Sequence, residues 1–372
     1  MNKRFWAMVA FWLASTALCL WIRPSDVREY QMYAVGALRS PLLHVWPREY
    51  PMLSLALFVL PRLLPLPYRW AFAVLTGAAL WWLWATGRPH PAWQRRLLVY
   101  LAVGTAGLFA GRYDAVPAML LYLAVEAGRA GRYRSAWAWS IFGFLLKLFP
   151  AVVWPALIIA EWRATGRWRW DRGALAVLSG LASIALQAAF SQRAAFSSYR
   201  YLFHRPLQFA SLPGGLAALT QVDRVRLITG FGSINVAGPP AGAIDLAVVA
   251  AAILALLAVW KLAIDGRIDF VTIVLASLTI LVLGSKVFSA QYLIWLAPLW
   301  AKYPLRWQWV TSAALTTLGY PVGFILARHF GPEWLYFSLW IDLARNMILL
   351  WGTATWFRTR GYWSAPDRRL AT

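Results

Sequence analysis

Carboxylates, cations and tyrosines occur in five short groups that separate long apolar segments of the chain. Side chains of these types can take a proton from a hydroxyl or hold an anionic group such as a phosphate. Ionisable groups at membrane depth cost free energy, so they are usually paired with one another or functional. The five groups are Asp26, Arg28, Glu29, Tyr30, Glu49 and Tyr50; Arg112, Tyr113 and Asp114; Lys147; Tyr199, Arg200, Tyr201, His204, Arg205 and Gln208; and Lys286, Gln291 and Tyr292.

The same groups also have structural explanations. Arg112 and Asp114 could form a local ion pair at a helix end. Lys147 and Lys286 could extend their ammonium groups to the lipid headgroups. These alternatives stay open at the level of sequence.

Other polar residues have simpler interpretations. His204 fits a surface histidine and Glu29 a solvated loop charge, while Asp26 could be the N-cap of a loop helix. Asp342 and Arg345, three residues apart in an apolar run, are interpreted as a buried structural pair.

The segments between the polar groups have the composition of a membrane protein. Hydrophobic residues make up 61% of the 372 residues and charged residues 13%, against about a quarter in water-soluble domains. Apolar runs that approach roughly 20 residues can cross a bilayer, where backbone groups must be satisfied within helices. The uncharged runs are 5–22, 97–111, 173–192, 246–260, 270–285, 287–301 and 307–327. We expect an all-α fold: a polytopic transmembrane helical bundle of about 10–12 helices, with 1–372 as a single membrane domain.

Positive charge gathers in the short turns that join the apolar runs. The formal net charge is +22, and its distribution is typical of cytoplasmic loops rather than of a nucleic-acid-binding face. Because 5–22 lack a small-residue cleavage site, they are expected to be a retained anchor. Residues 23–50 are then a first external loop carrying short helices. Residues 191–243 are an external segment in which 206–220 form a re-entrant or surface helix.

Two regions do not fit simple alternation across the membrane. If 52–66 and 70–85 both crossed, the basic cluster at 88–96 would lie outside, so one of them is expected not to cross fully. Residues 135–160 have basic flanks at both ends, which predicts two short helices meeting near Lys147. With this topology the five polar groups share the external side, and we expect them to form one cavity.

Motifs for metal or nucleotide binding are absent from the sequence. The chain has no Gly-rich phosphate loop and no close cysteine pair, and Cys19 is its single cysteine. The histidines are scattered at His44, His90, His204 and His329. We therefore expect no metal and no cofactor.

The order of the polar motifs resembles the bacterial polyprenol-phosphate-mannose-dependent alpha-mannosyltransferases, multi-spanning membrane glycosyltransferases of the GT-C superfamily. The likeness runs from about residue 20 to 355 through short elements. They are Asp26-Val-Arg-Glu-Tyr30, Glu49-Tyr50-Pro51, Arg112-Tyr-Asp114 with Pro117, Lys147-Leu-Phe-Pro150 with Pro155, His204-Arg205-Pro-Leu-Gln208 with Ser211, Phe231-Gly-Ser-Ile-Asn235, Lys286-Val-Phe-Ser-Ala-Gln291-Tyr-Leu-Ile-Trp295, and Arg345-Asn346. Met52, Pro206 and Ala210 depart from the family pattern, which leaves the acceptor and the sugar open.

The resemblance implies transfer of a hexose, mannose in the family, from a polyprenyl-phosphate-linked donor to a hydroxyl of a glycolipid or glycan acceptor. The reaction would take place on the external face of the plasma membrane, among membrane lipids and without nucleic acid. Asp26 would be the general base, and the donor phosphate would bind Arg205, Lys286, Arg112 and Lys147. The expected substrate-binding residues are Tyr30, Glu49, Tyr50, Asp114, His204, Gln208, Gln291 and Tyr292.

Two other classes of protein fit part of the pattern. A lipid or solute transporter or flippase would also gather charges at a cavity, although transporters often contain inverted repeats and none is detectable here. A non-catalytic assembly factor is the third hypothesis.

Overall fold

The computed structural model describes residues 3–39, 47, 49–87, 89–190, 204–220, 226–238 and 240–360, and these residues are mostly helical. Of the candidate polar residues, Tyr199, Arg200 and Tyr201 lie outside this part of the chain. The helices are α1 Lys3–Ile22, α2 Ser25–Arg39, α3 Ser54–Val59, α4 Tyr68–Thr86, α5 Pro91–Thr105, α6 Ala115–Arg129, α7 Tyr133–Leu146, α8 Val153–Thr165, α9 Trp170–Phe190, α10 Leu212–Leu219, α11 Ala241–Ile264, α12 Phe270–Gly284, α13 Tyr292–Trp300, α14 Trp307–Thr317, α15 Gly323–Phe330 and α16 Glu333–Arg360.

Several helices expose apolar surface that water would not solvate well. In the described residues, four helical stretches are long and apolar enough to cross a membrane: Lys3–Ile22, Trp170–Ala189, Ala241–Ile264 and Trp307–Phe330. On α11 only 6% of the apolar window is buried inside the protein, and Leu246 and Leu254 are 70% and 67% exposed. Exposed apolar faces of this length indicate a protein embedded in a membrane.

The apolar stretch after the first loop is bent sharply. Ser54–Leu63 and Tyr68–Thr86 meet at 119°, and prolines 61, 65 and 67 punctuate the stretch because proline cannot continue a regular helix. Of the two arms of this bend, only α4 is long enough to cross a membrane by itself. If α4 alone crosses, the basic cluster at 88–96 falls on the same side as the N-terminus, which removes the conflict found in the sequence.

The prediction of two short helices around Lys147 is confirmed. Helix α7 ends at Leu146, Lys147 has an extended backbone, and a 3₁₀ turn at Phe149–Val152 leads into α8. Pro150 is the second residue of this turn, where its missing N–H costs no helical hydrogen bond. Lys147 is therefore held at the junction of two helix ends.

The described residues are mostly helical, as expected of an all-α fold, and one segment adds a short hairpin that was not expected. Within 191–243, β1 Arg226–Gly230 and β2 Ser233–Ala237 form an antiparallel hairpin. Phe231 and Gly232 at its turn have φ values of 55° and 64°, the left-handed pair that a tight two-residue hairpin requires. Each strand has only five residues, so the alternation of its side chains carries little sequence signal.

The helix expected at 206–220 forms over only part of that range. Helix α10 covers Leu212–Leu219, and Ser211 caps it by accepting a hydrogen bond from the Gly214 N–H at 3.1 Å. The preceding residues are extended against β2: the Phe209 N–H donates to the Ile234 carbonyl at 3.0 Å. The structure thus joins a short helix and a hairpin in one unit, which we call the external unit after the side of the membrane expected from the sequence.

The turns rich in basic residues contact one another at one end of the helices. Lys302, after α13, forms an ion pair with Glu126 near the end of α6. Arg163, near the end of α8, donates to the carbonyl of Ala263 near the end of α11 at 3.4 Å. We call this the basic end. The opposite helix ends then come together at the other end of the bundle.

Candidate functional site

A cavity of ≈ 1010 Å³ lies among the helix ends opposite the basic end. Eight parts of the chain contribute to its wall: the start of α2, the end of the first loop, the α5–α6 and α7–α8 junctions, the external unit, the α12–α13 junction, the break between α14 and α15, and α16. The polar side chains that line it are Ser25, Asp26, Glu29, Glu49, Tyr50, Arg112, Lys147, Arg205, Gln208, Thr229, Ser233, Ser285, Ser289, Gln291, Tyr292, Tyr320, Asp342 and Arg345. Each of the five predicted polar groups therefore contributes at least one described residue to this cavity.

Asp26 and Arg112 form an ion pair at the cavity wall. Asp26 lies in the first turn of α2, directly after the chain breaks out of helix at Arg23, where φ is 55°. Arg112 is extended between a 3₁₀ turn and α6, and it is 7% exposed. The Arg112 Nε has no hydrogen-bond partner within the described residues, so this guanidinium has a remaining donor beside the cavity.

Lys147 is held by a buried carboxylate behind the cavity wall. Its Nζ donates to Asp114 Oδ1 at 2.6 Å, and Trp295 Nε1 donates to the same oxygen at 2.7 Å. Asp114 is 1% exposed and does not line the cavity, whereas Lys147 and Trp295 do. Asp114 thus positions a cation. The local Arg112–Asp114 pair considered from the sequence is replaced by two longer-range pairs.

Glu49 is the second carboxylate of the first loop at the cavity. Its Oε2 accepts a hydrogen bond from the Tyr33 hydroxyl at 3.1 Å. Burial raises the pKa of Glu49, an effect that the Tyr33 hydrogen bond and the charge of Arg205 oppose. A carboxyl with a raised pKa holds its proton nearer to neutral pH.

Glu29 lies at the cavity rather than in solvent. The sequence interpretation of a solvated loop charge is therefore wrong, because α2 turns this side chain toward the wall. Burial raises the pKa of Glu29, and the nearby negative charges of Asp26 and Glu49 raise it further. Three carboxylates of the first loop thus share one region of the cavity.

Tyr30 supports the wall without lining it. It is 1% exposed, and its ring stacks on Phe58 with centroids 4.5 Å apart. The same ring meets the edges of Tyr50 at 5.9 Å and Tyr113 at 5.6 Å. Among the two tyrosines predicted to bind substrate in this loop, only Tyr50 reaches the cavity.

The external unit places Arg205 and Gln208 at the cavity and His204 on the surface. The Gln208 N–H donates to the Lys286 carbonyl at 2.9 Å, and the Gln208 carbonyl accepts from Ser211 Oγ at 2.7 Å. Because these two hydrogen bonds hold the backbone of Gln208, the Cα from which its side chain extends has a fixed position. Its Oε1 is buried and makes no hydrogen bond to the described residues.

Lys286 does not line the cavity. Its Nζ lies 3.3 Å from Asp245 Oδ2 at the start of α11, so the ammonium is turned away from the predicted phosphate site. The following residues of the same junction do reach the cavity. Tyr292 stacks on Trp295 with centroids 3.9 Å apart, and Phe149 stacks on the Trp295 ring at 3.8 Å. These rings form an aromatic wall beside Lys147.

Asp342 and Arg345 were interpreted from sequence as a structural pair, and the structure adds a second property. The pair exists, with Arg345 Nη1 2.8 Å from Asp342 Oδ1, and both residues line the cavity. The signal was available in the sequence as an acidic residue, an arginine and Asn346 within five positions of an apolar helix. Sequence alone did not show which side of α16 faces a cavity.

Comparison with known proteins gives no match among family models, curated proteins or solved structures.

Proposed function

We propose that this protein is a membrane glycosyltransferase that moves a hexose, mannose by resemblance, from a polyprenyl-phosphate donor to an acceptor hydroxyl. The observation that carries the proposal is the cavity itself, which brings cations and carboxylates together beside helices that expose apolar surface. A lipid-linked phosphosugar has the matching parts: an apolar tail for the membrane, an anionic phosphate and a polar sugar.

The donor phosphate would bind Arg112, Lys147 and Arg205, the three cations of the predicted phosphate set that line the cavity. Negative charge grows on the phosphate oxygens as the glycosidic bond breaks, and cations that are already fixed stabilise it without reorganising. Asp26 and Asp114 provide that fixation for Arg112 and Lys147. Lys286 would contribute through its carbonyl, which holds Gln208.

Asp26 would act as the general base. The acceptor hydroxyl gives its proton to the Asp26 carboxylate while its oxygen attacks the anomeric carbon. The bond from that carbon to the phosphate oxygen breaks, and its electron pair leaves on polyprenyl phosphate. Proton transfer to a positioned carboxylate typically contributes about 10²–10⁴-fold. Arg112 orients the carboxylate for this step.

Gln208, Gln291, Glu49, Tyr50 and Tyr292 would bind sugar hydroxyls or the phosphate, since their polar atoms border the same space. Ligand pockets combine aromatic and apolar side chains with a few placed polar groups, and a sugar ring presents both C–H surface and hydroxyls to such a site. The acceptor would be a glycolipid or a glycan.

The protein would lie in the plasma membrane with the cavity outside and the basic end in the cytoplasm. This orientation follows the bias of Lys and Arg toward cytoplasmic turns. All of the basic turns that contact one another in the structure would then be internal.

The activity can be tested directly with purified protein in liposomes. Polyprenyl phosphomannose is the donor, and an extract of the organism's own envelope supplies the acceptor. Sugar transfer predicts release of polyprenyl phosphate that depends on the extract. Arg205→Met should abolish that release. Arg226→Met should leave the release intact, because Arg226 is a cation of the same segment but does not line the cavity. Movement of the donor across the liposome membrane without bond cleavage would instead identify a transporter.

A further inference from the structure

The Asp342–Arg345 pair lies in the middle of an apolar helix at the cavity wall. Asp342 is 2% exposed and Arg345 1% exposed, and both are in α16, well away from its ends. Holding a carboxylate and a guanidinium in such surroundings costs free energy of desolvation, and breaking such a pair is strongly destabilising. In such a pair, each hydrogen-bond donor and acceptor needs a partner.

Each nitrogen of the Arg345 guanidinium has a partner within the protein. Nη1 forms an ion pair with Asp342 Oδ1 at 2.8 Å, Nε and Nη2 donate to Asn346 Oδ1 at 3.1 and 3.0 Å, and Nη2 also donates to the Ala210 carbonyl. The guanidinium carbon lies 3.7 Å from the centroid of the Phe288 ring. Arg345 is therefore a fixed structural cation, and it holds Asp342 in one orientation.

Asp342 has one oxygen that the protein does not use. Oδ1 forms the ion pair with Arg345, while Oδ2 makes no hydrogen bond within the described part of the chain. The residue borders the cavity. An ionised carboxylate oxygen is an acceptor only, so a group that satisfies it from the cavity must be a donor, such as a hydroxyl.

The backbone of α14 and α15 makes room for this carboxylate. Gly319 lies in the break between them, and a Cβ at that position would be 2.7 Å from Asp342 Oδ1 and 3.1 Å from Oδ2. Only a residue without a side chain fits this approach. The neighbouring Tyr320 and Phe324 also line the cavity, with ring centroids 5.1 Å apart.

Asp342 is also connected to the proposed phosphate site. Arg345 and Asn346 both donate to the carbonyl of Ala210, the Asn346 bond being 3.1 Å long. Ala210 is two residues from Gln208, in the external unit that also carries Arg205. A sugar is joined directly to its phosphate, so a hexose whose phosphate binds this unit would lie beside Asp342.

We propose that Asp342 Oδ2 accepts a hydrogen bond from a hydroxyl of the donor hexose and that Arg345 is the residue that positions Asp342. This inference rests on the proposed function and assigns the sugar-binding part of the same cavity. Asp342 is a binding residue here and takes no part in bond making or breaking.

Equilibrium binding to the full chain in nanodiscs separates the sugar from the phosphate. The two probes are polyprenyl phosphomannose and polyprenyl phosphate, which share the tail and the charge. Asp342→Asn should weaken binding of the phosphomannose about tenfold or more, in line with a hydrogen bond to a charged group. Binding of polyprenyl phosphate should change less than about twofold, because that ligand has no hexose. Asparagine keeps Oδ1 as an acceptor for Arg345, so the pair's geometry is retained.

Two further variants make the test specific. Gly319→Ala should cause the same selective loss of phosphomannose binding. Its added methyl group, which is not part of α16, would displace the Asp342 carboxylate. Glu161→Gln changes a carboxylate that is 2% exposed and paired with Arg172 at the basic end, and it should leave both affinities unchanged.

The outcomes are distinct. If wild type prefers the phosphomannose and Asp342→Asn keeps that preference, Asp342 does not bind the hexose and the inference is overturned. Equal weakening of both ligands would overturn it as well, since it would assign Asp342 to the shape of the phosphate site. If wild type itself does not distinguish the two ligands and releases no polyprenyl phosphate, the proposed function fails together with the inference.

Discussion

Two buried carboxylates at opposite ends of the bundle have nearly the same partners. Asp114, 1% exposed, accepts from Lys147 and from Trp295 Nε1 at 2.7 Å. Glu161, 2% exposed, pairs with Arg172 and accepts from Trp137 Nε1 at 3.4 Å. Each is a carboxylate held between a cation and an indole. Their chemistry alone does not separate a functional site from a structural one.

The difference lies in the space beside each group. Lys147 and Trp295 border the cavity, whereas Arg172 and Trp137 do not. At the basic end, cations close contacts between helix ends, as Lys302 does with Glu126. At the cavity end, carboxylates hold the cations in place, and one side of each cation faces the cavity. An ion pair at membrane depth therefore becomes a candidate for function when it borders a cavity large enough for a ligand.

The largest effect expected from this comparison is an all-or-none difference in whether a reagent outside the cell can reach each end of the bundle. In a Cys19→Ser background, Thr229→Cys at the cavity end should react with a membrane-impermeant maleimide in intact cells. Arg167→Cys at the basic end should react only after permeabilisation. Both positions are exposed, and the single native cysteine is buried, so the background should remain unlabelled. Labelling of both sites in intact cells would contradict the opposite placement of the two ends.

A smaller effect is expected from removing the two indole donors. Trp295→Phe and Trp137→Phe each delete one hydrogen bond to a buried carboxylate, so each should lower the free energy of unfolding by about 1–3 kcal/mol. Only Trp295→Phe should also slow release of polyprenyl phosphate, by about tenfold, because Asp114 then holds Lys147 less firmly. Thermal unfolding and donor cleavage measured on both variants check this. Equal activity of the two would remove the functional distinction between the ends.

The smallest effect concerns pH. Burial raises the pKa of Glu49 above its ordinary value of 4.5, so its contribution to folded stability is fully present below that value. That contribution is lost as pH rises through the raised pKa. Wild type should therefore lose stability relative to Glu49→Gln as pH increases from about 4 toward neutrality. Unfolding temperatures of both proteins across this range give the comparison, and parallel curves would show that Glu49 is not buried as described.

Much of the architecture could be predicted because composition and charge act over long segments. The apolar runs gave helices, the basic turns gathered at one end, and the helix ends met at Lys147 as the flanking charges required. The hairpin at Arg226–Ala237 could not be separated from loop by the same argument, since a strand of five residues carries little periodic signal.

The direction of individual side chains was the harder part of the site. Lys286 and His204 are in the right segments but face away from the cavity, whereas Glu29 and Asp342 face it. Direction depends on local pairing and helix rotation, for example the pairing of Gln208 with Lys286 and Asn235. Motif order identifies segments that meet, but it does not show which atoms of each segment meet.

The most direct test of chemistry at the cavity compares two aspartates that each pair with an arginine, Asp26 with Arg112 and Asp171 with Arg169. Donor cleavage is measured for Asp26→Asn and Asp171→Asn in the same liposomes, with donor binding measured in parallel. Asp26→Asn should reduce turnover at least about 100-fold with donor affinity preserved, because asparagine keeps the hydrogen bond to Arg112 but cannot take the proton. Asp171→Asn should behave as wild type. Near-normal turnover by Asp26→Asn would contradict the assignment of Asp26 as the base.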